Sequence, residues 1–181
     1  MASAVTLLVI AGVIVVILLG AIQRKDENRA LSQAVSTTPT PTSSALAKAM
    51  QAVLKNPRSA SAQLALGNAY LNLGQASQAD AHYREAMKLA PSDPRPHTLH
   101  AMVLGSGSRR TEALQILKSV EESHPNYARA WLLDGLLSSH NRSTYPRAIR
   151  SWERFLVLQP HGSLASSVRH WIAVTKKAER S

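Results

Sequence analysis

The stretch from Leu66 to Pro91 reads LGNAYLNLGQASQADAHYREAMKLAP and alternates small with large apolar residues. The small ones are Gly67, Ala79 and Ala86, and the large ones are Leu66, Tyr70, Tyr83 and Leu89. Small residues let two helices approach closely, and large ones fill the space beside them. Gly74 suits a helix end, and Pro91 cannot continue a second helix. The stretch therefore predicts two helices joined by a tight turn.

The pattern recurs along the chain. Ala113 follows Ala79 by 34 residues, and Pro125 follows Pro91 by the same interval. A third copy has Trp131, Gly135, Ala148, Trp152 and Pro160, with one residue inserted in the loop SSHNRSTYP. The second copy is the most divergent, because His97, His100 and Ala101 replace Gln63, Leu66 and Gly67. We expect three units, at 60–93, 94–127 and 128–162.

These residues resemble the tetratricopeptide repeat (TPR), a helix–turn–helix unit of about 34 residues. The resemblance implies an all-α TPR solenoid of three helix–turn–helix repeats. Apolar residues at helical spacing predict a leading helix at 45–57 and a capping helix at 163–178. The last turns of the capping helix are basic, which suits a helix C-terminus. An irregular helical bundle would not repeat Ala and Pro at this interval.

The amino-terminal segment has a different character. Residues 2–22 carry no charge and are mostly Val, Ile and Leu. As a helix, this segment is long enough to cross a hydrocarbon core of about 30 Å. A cleaved signal peptide would have a basic residue before a shorter apolar run, and none is present. We therefore predict a single transmembrane helix at 2–22. Residues 23–44 are rich in Ser, Thr and Pro, which predicts a polar linker.

Composition excludes several kinds of site. The chain has no cysteine, which rules out disulfides and thiolate metal sites. It contains no Gly-rich phosphate loop, paired-carboxylate motif or nucleophile elbow. We expect a non-catalytic protein with no cofactor and no metal. One alternative stays open, because His97 and His100 lie three residues apart on one predicted helix face and together could ligate a metal or haem.

The TPR resemblance also implies a concave groove formed by the first helix of each pair. Its predicted lining is Leu64, Asn68, Leu71, Arg95, Thr98, Met102, Arg129, Leu132 and Leu136. Such an apolar surface with two cations at its edge suits an amphipathic helix or an extended apolar peptide. One TPR subtype holds a terminal carboxylate through Lys and Asn. Asn68 matches that pattern, but Leu64 stands where a Lys is needed, so we do not expect this clamp. For any single Leu, packing between helices is the alternative.

Positive charge is concentrated towards the carboxyl end. The chain has 21 Lys and Arg against 11 Asp and Glu, a formal net charge of +10. A candidate basic patch consists of Arg142, Arg147, Arg150, Arg154 and Arg169. It could bind anionic lipid headgroups or an acidic partner, or its members could be ordinary solvated arginines. We expect no nucleic acid, because no base-stacking aromatic motif is present.

The arrangement of anchor, linker, short helix, three repeats, AIRSWERFLVLQP and final helix is similar to the TPR proteins of bacterial cytochrome c maturation, the CcmI and NrfG type. That resemblance implies a membrane-anchored scaffold that binds apocytochrome c and brings it to haem lyase. Two alternatives remain: a TPR adaptor or chaperone of the secretion machinery, and an accessory subunit of a respiratory or photosynthetic membrane complex.

The side of the membrane is a separate question. Arg24, Lys25 and Arg29 follow the predicted span, and the positive-inside rule then places the repeats in the cytoplasm. The cytochrome c maturation resemblance implies the periplasmic side of the bacterial cytoplasmic membrane instead. We expect the periplasmic side, with the cytoplasmic side as the alternative.

Overall fold

The computed structural model describes residues 41–180, with side-chain burial from residue 44 onward. All regular structure in this range is helical. The helices are α1 (Pro41–Lys55), α2 (Ala60–Asn72), α3 (Ala76–Leu89), α4 (Pro94–Ser106), α5 (Arg110–Ser123), α6 (Ala128–Ser138), α7 (Tyr145–Leu158) and α8 (Ser163–Arg180). The prediction of an all-α fold is confirmed for these residues.

Three helical hairpins follow one another at the interval expected from the sequence. Helices α2, α4 and α6 begin at Ala60, Pro94 and Ala128, which are 34 residues apart. The third hairpin differs, because α6 has 11 residues against 13 in α2 and α4. A short 3-10 helix at Arg142–Thr144 then leads into α7. The inserted residue is thereby absorbed between the two helices of the third hairpin.

Local chemistry explains where the helices begin and end. The Ser59 hydroxyl accepts a hydrogen bond from the Ala62 backbone N–H at 3.2 Å and caps α2. The Asp93 carboxylate does the same for the Arg95 N–H at 2.9 Å, and Pro94 occupies the first position of α4. Gly74 ends α2 with a φ of +73°, a left-handed conformation that favours glycine.

Within each hairpin, the size of one residue matches the size of its neighbour. Gly67 of α2 faces the fully buried Tyr83 of α3, and Gly135 of α6 faces Trp152 of α7. In the second hairpin Ala101 replaces the glycine, and a smaller Leu117 shares its buried cluster. An aromatic side chain therefore lies opposite the glycine in the first and third hairpins, and a leucine is paired with the alanine in the second. This matching keeps the packing between paired helices dense.

Hydrophobic clusters continue along the whole described solenoid. Leu46, Ala49 and Val53 of α1 pack against Leu66 and Ala69 of α2. At the other end, α8 packs through its buried apolar residues on those of α7, and the cluster is formed by Ala148, Ile149, Trp152, Phe155, Val168 and Ile172. The leading helix and the capping helix thus cover opposite ends of the three repeats.

No helix among residues 41–180 is long and apolar enough to span a bilayer. The transmembrane helix predicted at 2–22 and nearly all of the linker predicted at 23–44 lie outside the described residues.

Candidate peptide-binding groove

The first helices of the second and third hairpins form the floor of a groove. Helices α4 and α6 contact each other directly, and a cavity of about 100 Å³ opens between them. The cavity is lined by Thr98, Leu99, Met102, Arg129, Leu132, Leu133 and Leu136. Five of the nine residues predicted for the groove therefore lie together around one cavity. Met102, Leu132 and Leu136 are half-buried, so part of each side chain remains available to a partner.

Some of the predicted groove residues serve the protein interior instead. Leu64 is only 8% exposed and packs in the cluster around Tyr83. Thr98 is 1% exposed, and its hydroxyl donates to the Pro94 carbonyl at 2.8 Å. Leu71 is half-buried against the Tyr83 cluster. Leu64 and Thr98 therefore support the groove from beneath and offer little surface to a partner.

Arg95 is exposed, but its charge is compensated within its own helix start. Its guanidinium donates to both Asp93 carboxylate oxygens at 2.7–3.0 Å. This hydrogen bonding holds the pKa of Asp93 below its usual range. Arg95 is therefore half of an ion pair at the start of α4 and does not line the cavity between α4 and α6.

Asn68, another residue predicted for the groove, does not line the cavity and is bonded to the phenol of Tyr83. The Tyr83 hydroxyl donates to the Asn68 side-chain oxygen at 2.9 Å. Burial raises the pKa of Tyr83 to about 12, and the positive charge of Arg129 acts in the opposite direction. Tyr83 therefore stays a neutral donor to the Asn68 oxygen.

The two histidines of the metal or haem alternative take different partners. His100 is buried and its Nδ1 bonds to the Asp80 carboxylate of α3. His97 Nδ1 bonds to the Asp93 carbonyl at 2.9 Å, and its ring lines a separate cavity of about 200 Å³ with His124. Within residues 41–180, no three His, Cys, Asp or Glu side chains are grouped to hold a metal ion.

Most arginines of the predicted basic patch hold loops and helix ends. Arg142 donates to the Glu179 carbonyl at 3.2 Å, and Arg169 donates to the Pro160 carbonyl at 2.6 Å. Arg154 donates to the Pro125 carbonyl at 3.2 Å. Arg150 is exposed and makes no hydrogen bond or ion pair within the described chain. These bonds satisfy backbone carbonyls and leave each arginine charged.

Arg147 does not belong to this exposed set, which corrects its place in the predicted patch. Its guanidinium donates to the Asp134 carboxylate at 2.5–3.1 Å and to the Leu114 carbonyl at 3.1 Å. Asp134 is fully buried and also accepts from the Ser151 hydroxyl at 2.5 Å. The sequence interpretation missed this network, although an aspartate inside the apolar run WLLDGLL was a visible signal that a buried partner was needed.

Near this network lies a carboxyl group with an unusual environment. Burial, reinforced by the negative charge of Asp134, raises the pKa of Glu121 to about 8. Its Oε1 atom is buried without a hydrogen-bond partner among the described residues. Glu121 is therefore expected to be largely protonated at neutral pH.

Comparisons with known proteins agree with the geometry. Residues 42–103 match the tetratricopeptide-repeat family model, and no curated protein sequence matches the chain. A crystal structure of MamA aligns with a TM-score of 0.61 and 16% identity, covering 74% of this chain and 76% of that one. The first TPR domain of Spaghetti (RPAP3), solved with the HSP90 peptide SRMEEVD, aligns with a TM-score of 0.60 and 20% identity, covering 67% and 96%. The Arabidopsis OM64 TPR domain aligns with a TM-score of 0.57 and 20% identity, covering 63% and 93%.

Identities at this level show a shared fold and nothing finer. The match to the repeat model begins within α1, so this helix occupies the place of a repeat helix ahead of the first complete hairpin. With three hairpins in sequence and a groove along their first helices, the described residues have the fold of a tetratricopeptide-repeat solenoid.

Proposed function

We propose that this protein is a non-catalytic scaffold that holds an apolar segment of a protein partner in its concave groove. The observation that carries the proposal is the apolar cavity between α4 and α6, where Met102, Leu132 and Leu136 stay partly exposed. A groove of this kind receives an amphipathic helix or an extended peptide. The RPAP3 domain, which shares the fold, was solved with a peptide bound.

The partner we propose is an apocytochrome c, bound through its C-terminal helix and brought to haem lyase. Support comes from the similarity to the TPR proteins of cytochrome c maturation and from the apolar 2–22 segment. Tethering both partners to one membrane raises the local concentration of substrate near the lyase without a chemical step. The alternative is an adaptor or accessory subunit of another membrane complex, either the secretion machinery or a respiratory or photosynthetic assembly.

We also propose that the protein is anchored in the bacterial cytoplasmic membrane with the repeats on the periplasmic side. Ser92 is exposed between α3 and α4, and the chain has no native cysteine. Ser92→Cys should therefore react with a membrane-impermeant thiol reagent in spheroplasts before lysis. Labelling that requires lysis would place the repeats in the cytoplasm and exclude the cytochrome c role.

Groove binding is tested with a fluorescent peptide that corresponds to the C-terminal helix of an apocytochrome c, measured by anisotropy against a scrambled peptide. Leu132→Glu places a charge in the cavity lining and should weaken binding at least about tenfold, or ~1.4 kcal/mol. Val157→Glu is the matched control, because Val157 is 69% exposed and lies outside the cavity. Equal binding by both variants would contradict a role for the groove.

The identity of the partner needs its own measurement. The full chain is affinity-purified in mild detergent from cells that make c-type cytochromes, and its companions are identified by mass spectrometry. Apocytochrome c or haem lyase subunits that are lost in the Leu132→Glu variant would support the cytochrome role. Stoichiometric recovery of a secretion or respiratory complex instead would favour the alternative.

A further inference from the structure

A second cleft lies between α5, α6 and α7 and shares no residue with the cavity of the groove. Its volume is about 390 Å³. On each of the three helices the lining residues are about one turn apart, so they belong to one helix face. The lining residues are Lys118 and Glu121 of α5, Trp131 and Asp134 of α6, and Arg147, Arg150 and Ser151 of α7.

Three cations line this cleft, and each keeps hydrogen-bond donors that the protein does not use. Arg150 is exposed and makes no hydrogen bond or ion pair within the described chain. Lys118 is exposed, and its ion pair with Glu122 is a long contact of 3.8 Å. Arg147 bonds to Asp134 and to a carbonyl of α5 through Nε and Nη2, so its Nη1 group has no acceptor among residues 41–180. All three side chains can therefore donate charge-assisted hydrogen bonds to an anion.

A carboxyl group in the same cleft adds a neutral donor. The Oε1 atom of Glu121 is buried without a hydrogen-bond partner among the described residues. Burial, reinforced by the charge of Asp134, raises the pKa of Glu121 to about 8, so most of this group is protonated at pH 7. A protonated carboxyl group donates one hydrogen bond. The charged groups around it are Lys118 and Glu122 of its own helix, Asp134 of α6, and Arg147 and Arg150 of α7, and α4 contributes none to the cleft.

The balance of charge favours an anion with two negative charges. With Glu121 protonated, the three cations face a single carboxylate, that of Asp134. A phosphoryl group carries a charge of about −1.5 to −2 at pH 7 and offers three strong acceptor oxygens. The volume of the cleft is in the range of sites for small molecules, and the half-buried Trp131 adds an apolar surface.

We propose that this cleft binds the phosphoryl group of a small phosphate ester. Lys118, Arg147 and Arg150 donate to the phosphoryl oxygens, the carboxyl proton of Glu121 adds a fourth donor, and the organic part of the ester lies against Trp131. Free phosphate would use the same four donors but would leave Trp131 without a contact. Binding in this cleft is independent of the partner proposed for the groove, because the two sites share no residue.

The test is isothermal titration calorimetry of the full chain in detergent micelles, with phenyl phosphate and separately with inorganic phosphate. Phenyl phosphate should bind at pH 7 with a Kd below about 1 mM, and more tightly than inorganic phosphate because its ring contacts Trp131. Equal affinities would overturn the ester and assign the site to free phosphate. Arg150→Gln should weaken the binding of phenyl phosphate at least about tenfold. Arg58→Gln is the matched control and should keep the affinity, because Arg58 is exposed and lies outside the cleft.

The dependence of binding on pH isolates the contribution of Glu121. Its protonated fraction falls from about nine-tenths at pH 7 to about one-tenth at pH 9, so the Kd should rise about ninefold when only this form binds. Glu121→Gln keeps a neutral donor and should bind with nearly the same Kd at both pH values. A wild-type Kd that is unchanged between pH 7 and pH 9 would overturn the role of Glu121. The absence of binding, or equal affinities of Arg150→Gln and Arg58→Gln, would overturn the site itself.

Discussion

Replacing Gly67 by alanine tests the packing principle on which each hairpin depends. A Cβ atom on Gly67 would lie 2.5 Å and 2.7 Å from two ring carbons of Tyr83 and 3.2 Å from the Ala79 carbonyl oxygen. Comfortable carbon–carbon contacts are about 3.5–4.0 Å, so the ring would have to retreat by about 1 Å. Tyr83 is fully buried and its hydroxyl is tied to Asn68, so it has no free space to retreat into.

The magnitude follows from two opposing terms. Overpacking costs about 1–3 kcal/mol, and the buried, hydrogen-bonded ring of Tyr83 places this case in the upper half of that range, at about 2–3 kcal/mol. Alanine is favoured over glycine in a helix by about 1 kcal/mol. We therefore expect Gly67→Ala to lose about 1–2 kcal/mol, which corresponds to a fall of roughly 4–8 °C in melting temperature for a domain of this size. Urea and thermal unfolding of the full chain, followed by far-UV circular dichroism, would measure it.

A double mutant makes this test specific. Gly67→Ala combined with Tyr83→Leu reproduces the Ala101 and Leu117 pair of the second hairpin. The double mutant should be more stable than the sum of the two single changes predicts, by roughly 1 kcal/mol. Gly107→Ala is the control, because a Cβ there would lie 3.6 Å from its nearest neighbour. Strict additivity, or a Gly67→Ala variant as stable as the wild type, would refute the size-matching explanation.

Two further predictions concern the polar interior. The pKa of Glu121 is about 8 in the folded state, and its ordinary value is 4.5. Between these pH values the folded state keeps a proton on Glu121 that the unfolded state has lost. The stability that this proton provides below pH 4.5 is therefore lost as pH rises through 8. Glu121→Gln should remove this loss, so the difference in melting temperature between the variant and the wild type should increase from pH 5 to pH 9 in favour of the variant. Melting temperatures of the two proteins that change in parallel with pH would contradict the raised pKa of Glu121. Asp134→Ala removes the buried carboxylate to which the Arg147 guanidinium and the Ser151 hydroxyl both donate, and should lower the free energy of unfolding by about 3–5 kcal/mol. Glu153→Ala is the control, because it breaks only an exposed ion pair with Lys176. It should change the free energy of unfolding by less than about 1 kcal/mol in the same denaturation experiment.

The repeat arithmetic gave the hairpins correctly because it depends on backbone constraints. Glycine and alanine at fixed positions mark where two helices touch, and proline marks where a helix ends, so the starts at Ala60, Pro94 and Ala128 follow from residue type alone. The environment of each side chain is harder to predict, because whether it faces the groove or the interior depends on how the neighbouring helices pack. Leu64 was assigned to the groove but packs beneath it against the Tyr83 cluster.

Arg147 shows the same limit for charged residues. In sequence it belongs to a run of arginines, yet its guanidinium reaches a buried carboxylate on the preceding helix. A long arginine side chain can extend into solvent or bond to a buried group, and its neighbours in sequence do not determine which of these occurs. The aspartate was the more informative residue, because a carboxylate in an apolar helix must have a partner. The residues that bind a protein partner stay predictions until binding is measured.

The buried polar residues also determine the order in which the hairpins can follow one another. Leu66, His100 and Asp134 occupy the same repeat position, 34 residues apart. His100 needs Asp80 of the preceding hairpin, and the arginine held by Asp134 also bonds to a carbonyl of α5. Permuting or deleting a hairpin would leave the buried imidazole of His100 without Asp80, or the guanidinium of Arg147 without the Leu114 carbonyl. Genetic recombination between these repeats would therefore yield unstable chains even where each hairpin keeps its own fold.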